Sequence, residues 1–324
     1  MHRRALLLAA PPLALAPRAR AQTAAAAWPD RPVRIIVAFT AGGTTDIIAR
    51  LVGNQLSQLW GQPVVVENRP GAGGNIGTEF VVRAAPDGHT LLVGSNGPLA
   101  VNQTLYRSMP YDARRDLAAI SLLAEVSNIL VVAPSSPVRS VQELVARARA
   151  QPGRLSYGST GVGTAAHLAG ALLDQMAGIE TLHVPYRGAV AINDLLSGRL
   201  DFMFATAPSV IEQVRQGQLR AIAVSSRRRS RNLPDLPTMI ELGFPGFDSS
   251  SWFGMAAPAR TPPEVVGKIA ADTIAVLRRP EIERQLVEAG AEPVANTPAE
   301  FTAFIANEMT RWAEIVRKAG ATVE

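Results

Sequence analysis

The sequence predicts a two-lobed α/β protein, each lobe a mainly parallel sheet flanked by helices. Strand-like apolar runs alternate with amphipathic stretches, which is the order of a doubly wound sheet. A glycine-and-hydroxyl loop between strand and helix occurs twice, at 35–50 (IIVAFTAGGTTDIIAR) and at 155–168 (LSYGSTGVGTAAHL). With 324 residues, 47% of them apolar, the chain is too long for one small core and suits two lobes. Two such loops in two halves of a chain point to one ligand held between them.

The N-terminus, MHRRALLLAAPPLALAPRARAQ, has a charged start, a short apolar run and Ala19-Arg20-Ala21 before Gln22. It reads as a secretory signal peptide over 1–21, so the mature protein is expected to be soluble and periplasmic. The Arg3-Arg4 pair leaves the twin-arginine route open. With no cysteine there is neither a lipidated cysteine nor a disulfide, and the core must supply the stability. No later apolar run approaches the ~20 residues that span a bilayer. Formal net charge is +5, and Arg3, Arg4, Arg18 and Arg20 account for four of it, leaving 5 − 4 = +1 for the rest. That is no nucleic-acid footprint. The run Arg227, Arg228, Arg229, Arg231 reads as a solvated loop.

The first strand covers Ile35 to Val37, and Gly42-Gly43 allow a sharp turn into a helix opening near Thr44 and Thr45. That helix carries Ile47, Ile48, Leu51, Val52, Leu56 and Leu59 at helical spacing and stops at Gly61. Strands follow at 63–66 and 90–93, with GAGGNIG (71–77) heading a helix between them. The run from Ile120 to Ala133 is too long for one ordinary strand and is expected to carry the chain into the second lobe. There, a helix at 141–150, the second glycine loop and its helix, a strand at 182–185, a helix at 190–196, a strand at 201–204, a helix at 208–215 and a strand at 221–224 continue the alternation. The chain is expected to cross back near Ser251-Trp252-Phe253-Gly254 and to finish in helices at 263–277, 281–289 and 300–318. The resulting division is 28–125 with 252–324 for the first lobe and 126–251 for the second. Two crossings make a hinge, and a hinge with a cleft suits closure on a ligand.

The chemistry legible in the residues is binding rather than catalysis. No G-x-S-x-G occurs, and the histidines (His2, His89, His167, His183) show no metal spacing. GAGGNIG places Ile76 where a dinucleotide fingerprint needs its third glycine, so a structural turn is the better reading. Gly161 to Ala166 fits G-x-G-x-x-A, but one isolated match does not carry a cofactor, and none is expected. The free N–H groups where each glycine loop enters its helix form an anion site, ready for a carboxylate or phosphate. Asp46 reads either as a helix-start residue or as part of the site, and His167 as a packed brace or a ligand contact.

PVRIIVAFTAGGTTDIIAR, GQPVVVENRPGAGGNIGT, PDGHTLL, LSYGSTGVGTAAHLAG, HVPYRG, LPDLPTMIELG and WFGMAAPARTP occur in this order. The set resembles the Bug-type receptors, the extracytoplasmic solute-binding proteins of tripartite tricarboxylate transporters, over essentially the whole mature chain. The resemblance implies a periplasmic-binding-protein fold that closes like a Venus flytrap on a small carboxylate. It implies delivery of that ligand to a membrane permease by a monomer, with no enzymatic activity, cofactor, metal or nucleic acid. Family members grip the ligand largely with backbone N–H groups of the two glycine loops. Carried over, these are Phe39, Thr40, Ala41, Gly42, Gly43, Thr44 and Asp46 in the first, and Ser159, Thr160, Gly161 and Thr164 in the second. His167 and Arg187 match further motif positions, and Asn96 and Thr206 complete the expected ligand-binding set.

Departures from the family pattern sharpen the expectation. Thr40 and Ala41 stand where prolines are usual, and Ala205 and Thr206 follow DFMF where an aspartate is common. Without an acid to meet a ligand amine, a plain or aromatic carboxylate is expected rather than an amino acid. The alternatives are an exported two-lobed enzyme using Asp46 or His167 as acid or base, and a binding partner for a membrane sensor.

Overall fold

The computed structural model describes residues 28–186, 190–318 and 322–323. The expected signal peptide and Arg187 lie outside the described residues.

The first sheet begins with alternating strands and helices. Strand β1 (Val33–Val37) is buried at four of its five positions. Helix α1 (Thr44–Trp60) buries Ile48, Ala49, Val52 and Leu56, and ends where Gly61 turns left-handed and donates its N–H to Ser57. Strand β2 (Val64–Asn68), helix α2 (Asn75–Val82) and strand β3 (Thr90–Ser95) follow. GAGGNIG forms one 3-10 turn, Ala72–Gly74, leading into α2, as a structural turn should. Short helices α3 (Asn102–Leu105) and α4 (Ala113–Asp116) then bring the chain to strand β4 (Leu117–Val126).

The long apolar run of the sequence is broken at Ser127, and β5 (Asn128–Val132) opens the second sheet. The order continues as α5 (Val141–Ala150), β6 (Ser156–Ser159), α6 (Ala165–Ala177), β7 (Leu182–Pro185), α7 (Ala191–Leu196), β8 (Phe202–Thr206), α8 (Ala207–Arg215) and β9 (Arg220–Val224). Strand β10 (Ser251–Pro258) returns to the first sheet, and α9 (Pro263–Leu277), α10 (Pro280–Glu288), β11 (Ala291–Pro293) and α11 (Pro298–Lys318) close the chain. The sheet orders are β11-β4-β10-β3-β1-β2 and β7-β6-β8-β5-β9.

The expectation of mainly parallel sheets holds only for the strand–helix–strand parts. β1 runs parallel to β2 and β3, and β6 parallel to β7 and β8. β10 is antiparallel to β3 and β4, and β5 is antiparallel to β8 and β9. These antiparallel strands are the ones that carry the chain between sheets, and a strand arriving from the other sheet without a crossover helix need not run parallel. β11 escaped the sequence reading because its three residues have no periodicity, and it is a strand only through pairing with β4.

A buried polar knot fastens the crossings. Asn128 donates Nδ2–H to the Ser249 carbonyl, Ser225 Oγ–H donates to the same carbonyl at 3.0 Å, and Ser251 Oγ–H donates to Asn128 Oδ1 at 3.2 Å. The arginine run lies beside it and is exposed, yet each of three members holds an acid: Arg227 with Asp248 at 2.8 Å, Arg229 with Glu241 at 3.0 Å, and Arg231 with Glu283 at 3.4 Å.

Candidate functional site

A doubly wound sheet collects its loops at the carboxyl ends of its strands, which is where ligands bind. Here a cavity of about 70 Å³ lies between the ends of β1 and β3 of one sheet and of β6 and β8 of the other. Its polar lining is Thr40, Thr44, Thr45, Ser95, Asn96, Thr160, Thr164, Thr206, Ser209 and Ser251. Its apolar lining includes Phe39, Ile192, Met203, Phe204 and Phe253. Among the described residues no ionisable side chain lines it.

Positive potential comes instead from helix ends. Thr44 and Thr45 are the first residues of α1, Thr164 to Ala166 cap and begin α6, and Thr206 and Ser209 lie at the cap and first turn of α8. Three helix N-termini thus reach the cavity wall, each with the equivalent of roughly half a positive charge. At α1 the cap residue Gly43 has no side chain, so helix geometry leaves the N–H groups of Thr44, Thr45 and Asp46 without intrahelical acceptors.

Asp46 faces away from the cavity. Its carboxylate accepts from Gly42 N–H at 2.9 Å, Arg50 Nε at 3.0 Å and Asn68 Nδ2 at 3.0 Å. Burial alone raises its pKa, but the bonds from Arg50, Gly42 and Asn68 outweigh that and hold the carboxyl below its usual range. Asn68 also donates to the Phe39 carbonyl at 3.1 Å, which fixes the loop on both sides of its turn.

The second loop is braced without charge. Thr164 Oγ1 caps α6 by accepting from His167 N–H at 3.4 Å, and donates to the Gly161 carbonyl at 2.8 Å. His167 Nδ1 accepts from Gly163 N–H at 3.1 Å, which puts the ring proton on Nε2. Its ring stacks on His183 with centroids 4.0 Å apart, and His183 Nε2 meets Ser159 Oγ at 2.7 Å. Burial pushes His167 down to about 4; burial, then the neighbouring His167, pushes His183 down to about 3. Both rings are neutral at physiological pH.

The two walls touch. Thr44 Oγ1 and Thr206 Oγ1 are 2.7 Å apart, and Ser209 Oγ is 3.0 Å from Thr206 Oγ1. A Cβ at Gly163 would stand 2.3 Å from Leu105 Cδ2 of the opposite side, so only glycine permits this approach.

Of the expected site residues, Phe39, Thr40, Gly43, Thr44, Asn96, Thr160, Thr164 and Thr206 line the cavity together. Asp46, Ser159, Gly161 and His167 are outside the lining and brace the loops from behind, while Ala41 and Gly42, also outside it, are exposed at the first turn. The sequence reading missed Thr45, Ser95, Ala165, Ala166, Ile192, Met203, Phe204, Ala205, Ser209, Ser251 and Phe253. Thr45, Ala165, Ala166, Ala205 and Ser209 adjoin chosen positions or sit one helical turn away. Ser251 and Phe253 gave no such signal, since they reach the wall only because β10 inserts between β3 and β4, pairing Phe253 with Ser95.

Comparison with known proteins agrees with this geometry. The model of the tripartite tricarboxylate transporter family receptors matches residues 48–321. Protein BugT of Bordetella pertussis (strain Tohama I) is 39% identical over 306 residues, covering 94% of each chain. Among solved structures, R. palustris Rpa4515 with adipate superposes at a TM-score of 0.89 with 37% identity, over 91% of this chain and 100% of that one. MatC (Rpa3494) from Rhodopseudomonas palustris with bound malate gives 0.84 with 30% identity, over 89% and 100%. The match begins inside α1, so β1 and the first glycine loop lie ahead of it while the second loop and the rest of both sheets lie within it, and it identifies a solute receptor rather than an enzyme: the chain belongs to the tripartite tricarboxylate transporter receptor family.

Proposed function

We propose that this chain is a periplasmic receptor that closes its interlobe cleft on a small carboxylate and delivers it, as a monomer, to the permease of a tripartite tricarboxylate transporter. The lobes are 28–125 with 252–324 and 126–251, and the signal peptide is cleaved between Ala21 and Gln22. The observation that carries the reading is the cavity wall itself: three helix N-termini and no ionisable side chain among the described residues. Such a wall favours an anion through N–H dipoles and contains no acid to repel it. The relatives bound to adipate and malate have carboxylates in common, which supports the same class here.

The carboxylate is held by N–H groups of the 39–46 and 158–164 loops, with the hydroxyls of Thr44, Thr164 and Thr206 around it. With no acid in the lining to receive an ammonium group, amino acids bind worse than plain carboxylates. A thermal-shift screen of the mature chain against mono-, di- and tricarboxylates, aromatic acids and amino acids tests this. A ligand at 100 times its Kd adds about 2.7 kcal/mol, several degrees of shift. Thr44→Pro removes one cavity N–H at a helix position that tolerates proline, while Thr44→Val removes only the hydroxyl. The proline variant is expected to bind at least tenfold more weakly than the valine variant; equal affinities, or no carboxylate binding at all, overturn the reading.

A further inference from the structure

We propose that Asn96 is the specificity-determining residue of the cavity and reads a neutral hydroxyl or carbonyl group on the ligand, so that the preferred class is a hydroxy- or oxo-carboxylate. The inference rests on the carboxylate reading above and adds to it a second recognition element.

Asn96 follows the last residue of β3 and precedes a wide π-helical turn, Gly97–Val101, in which the Asn102 N–H reaches the Gly97 carbonyl, so its backbone is set by the sheet and by the turn. The residue is 2% exposed and lines the cavity. Its Nδ2 is sealed from solvent and has no hydrogen-bond partner. The other buried orphans among the described residues, Trp28 Nε1, His89 Nε2, Asn102 Oδ1 and Thr261 Oγ1, belong to residues outside the lining.

Five hydroxyls of the wall are already engaged. Thr44, Thr206 and Ser209 share hydroxyl contacts, Thr164 donates to Gly161, and Ser251 donates to Asn128. Leaving a buried amide group unpaired costs about 1–3 kcal/mol, and native structures keep such groups rarely. A ligand group that pairs with the amide removes this cost, and an analogue lacking that group does not. An amide offers both a donor and an acceptor, which matches a hydroxyl, and its donor matches a carbonyl. The carboxylate has its own partners at the helix N-termini, so Asn96 serves a different group of the same molecule.

The test uses pairs of probes that differ by one hydroxyl: succinate and malate, butyrate and 3-hydroxybutyrate, benzoate and 4-hydroxybenzoate. Calorimetry on the native mature chain is expected to favour the hydroxylated member of at least one pair by tenfold or more. Asn96→Leu, close to isosteric, is expected to abolish that preference, bringing the two members of the pair within threefold of each other. Asn96→Ser is the second variant should the leucine variant fail to fold, and it is expected to weaken the preference. Binding without any hydroxyl preference in the native chain, or a preference of undiminished size in either folded variant, overturns this inference and leaves the carboxylate reading standing. No binding by any probe overturns both.

Discussion

The two glycine loops have nearly the same local design and opposite support. In the first, an ionised carboxylate sits behind the turn, and Asp46 takes bonds from Gly42, Arg50 and Asn68. In the second, a neutral histidine takes the corresponding role, with His167 accepting from Gly163 and stacking on His183. Both spans are four residues, Gly42 to Asp46 and Gly163 to His167, so each brace arises from one helical turn folding back on its loop. An anion site can thus be buttressed from behind by a charge or by a neutral ring, provided neither faces the ligand. What separates them is their response to acid.

The largest expected effect comes from removing the charged brace. Asp46→Ala removes the acceptor of the Gly42 N–H and of one of the two Asn68 amide N–H groups, the other keeping the Phe39 carbonyl, while half-exposed Arg50 is rescued by water. A loss of roughly 2–4 kcal/mol is expected in urea unfolding, with ligand binding impaired as the loop relaxes.

Acid then separates the loops. Folded His167 resists protonation down to about 4, whereas the unfolded chain takes up protons below about 6.5. The unfolded state binds more protons in that window, so stability falls as pH drops from 6.5 to 4, by on the order of 2–3 kcal/mol. The Asp46 contribution has the other limits: it is intact above 3.8, the ordinary value, and is lost as pH falls through the lower folded value. Melting temperatures across pH 3 to 7 should show the first decline in the native chain and its flattening in His167→Phe/His183→Phe. A decline of unchanged size in that double variant would remove the histidine pair as its cause.

A pair of alanine variants compares the loops sterically. Gly42 and Gly163 have φ of +78° and +80°, so alanine costs about 1–2 kcal/mol of backbone strain at each. Only Gly163 has a close neighbour, Leu105 Cδ2 at 2.3 Å from the added Cβ; nothing lies within 4 Å at Gly42. Gly163→Ala is therefore expected to weaken ligand affinity about tenfold beyond Gly42→Ala, because it obstructs the closed approach as well. Equal losses would mean that closure does not use this contact.

The smallest effect concerns the hydroxyl pair that joins the loops' two sides. Thr206→Val breaks the 2.7 Å contact with Thr44 and is expected to cost about 0.5–1.5 kcal/mol, a shift within about tenfold in Kd by calorimetry. An unchanged Kd would show that the closed form does not depend on this bond.

Much of this was legible in the residues because it is local. The helix from Thr44 to Trp60 and its stop at Gly61, the helix at 141–150, the strand at 182–185 and the break inside the long apolar run depend on neighbours a few positions away. The anion character of both loops follows from helix geometry, and the family from motifs in a fixed order. Strand direction was not local: β5 and β10 run antiparallel because of where the chain arrives from, not because of their own residues.

The sequence by itself determined two strand-to-loop-to-helix units, an apolar supply large enough for two cores, and hydroxyl-rich helix starts, since each rests on spacing within one or two turns. Only the tertiary structure decided which face of each loop meets the cavity. It turned Asp46 and His167 inward as braces, brought Ser251 and Phe253 to the wall through β10, and left the Asn96 amide unpaired there. These outcomes depend on contacts between residues far apart in the chain, and no local pattern encodes them.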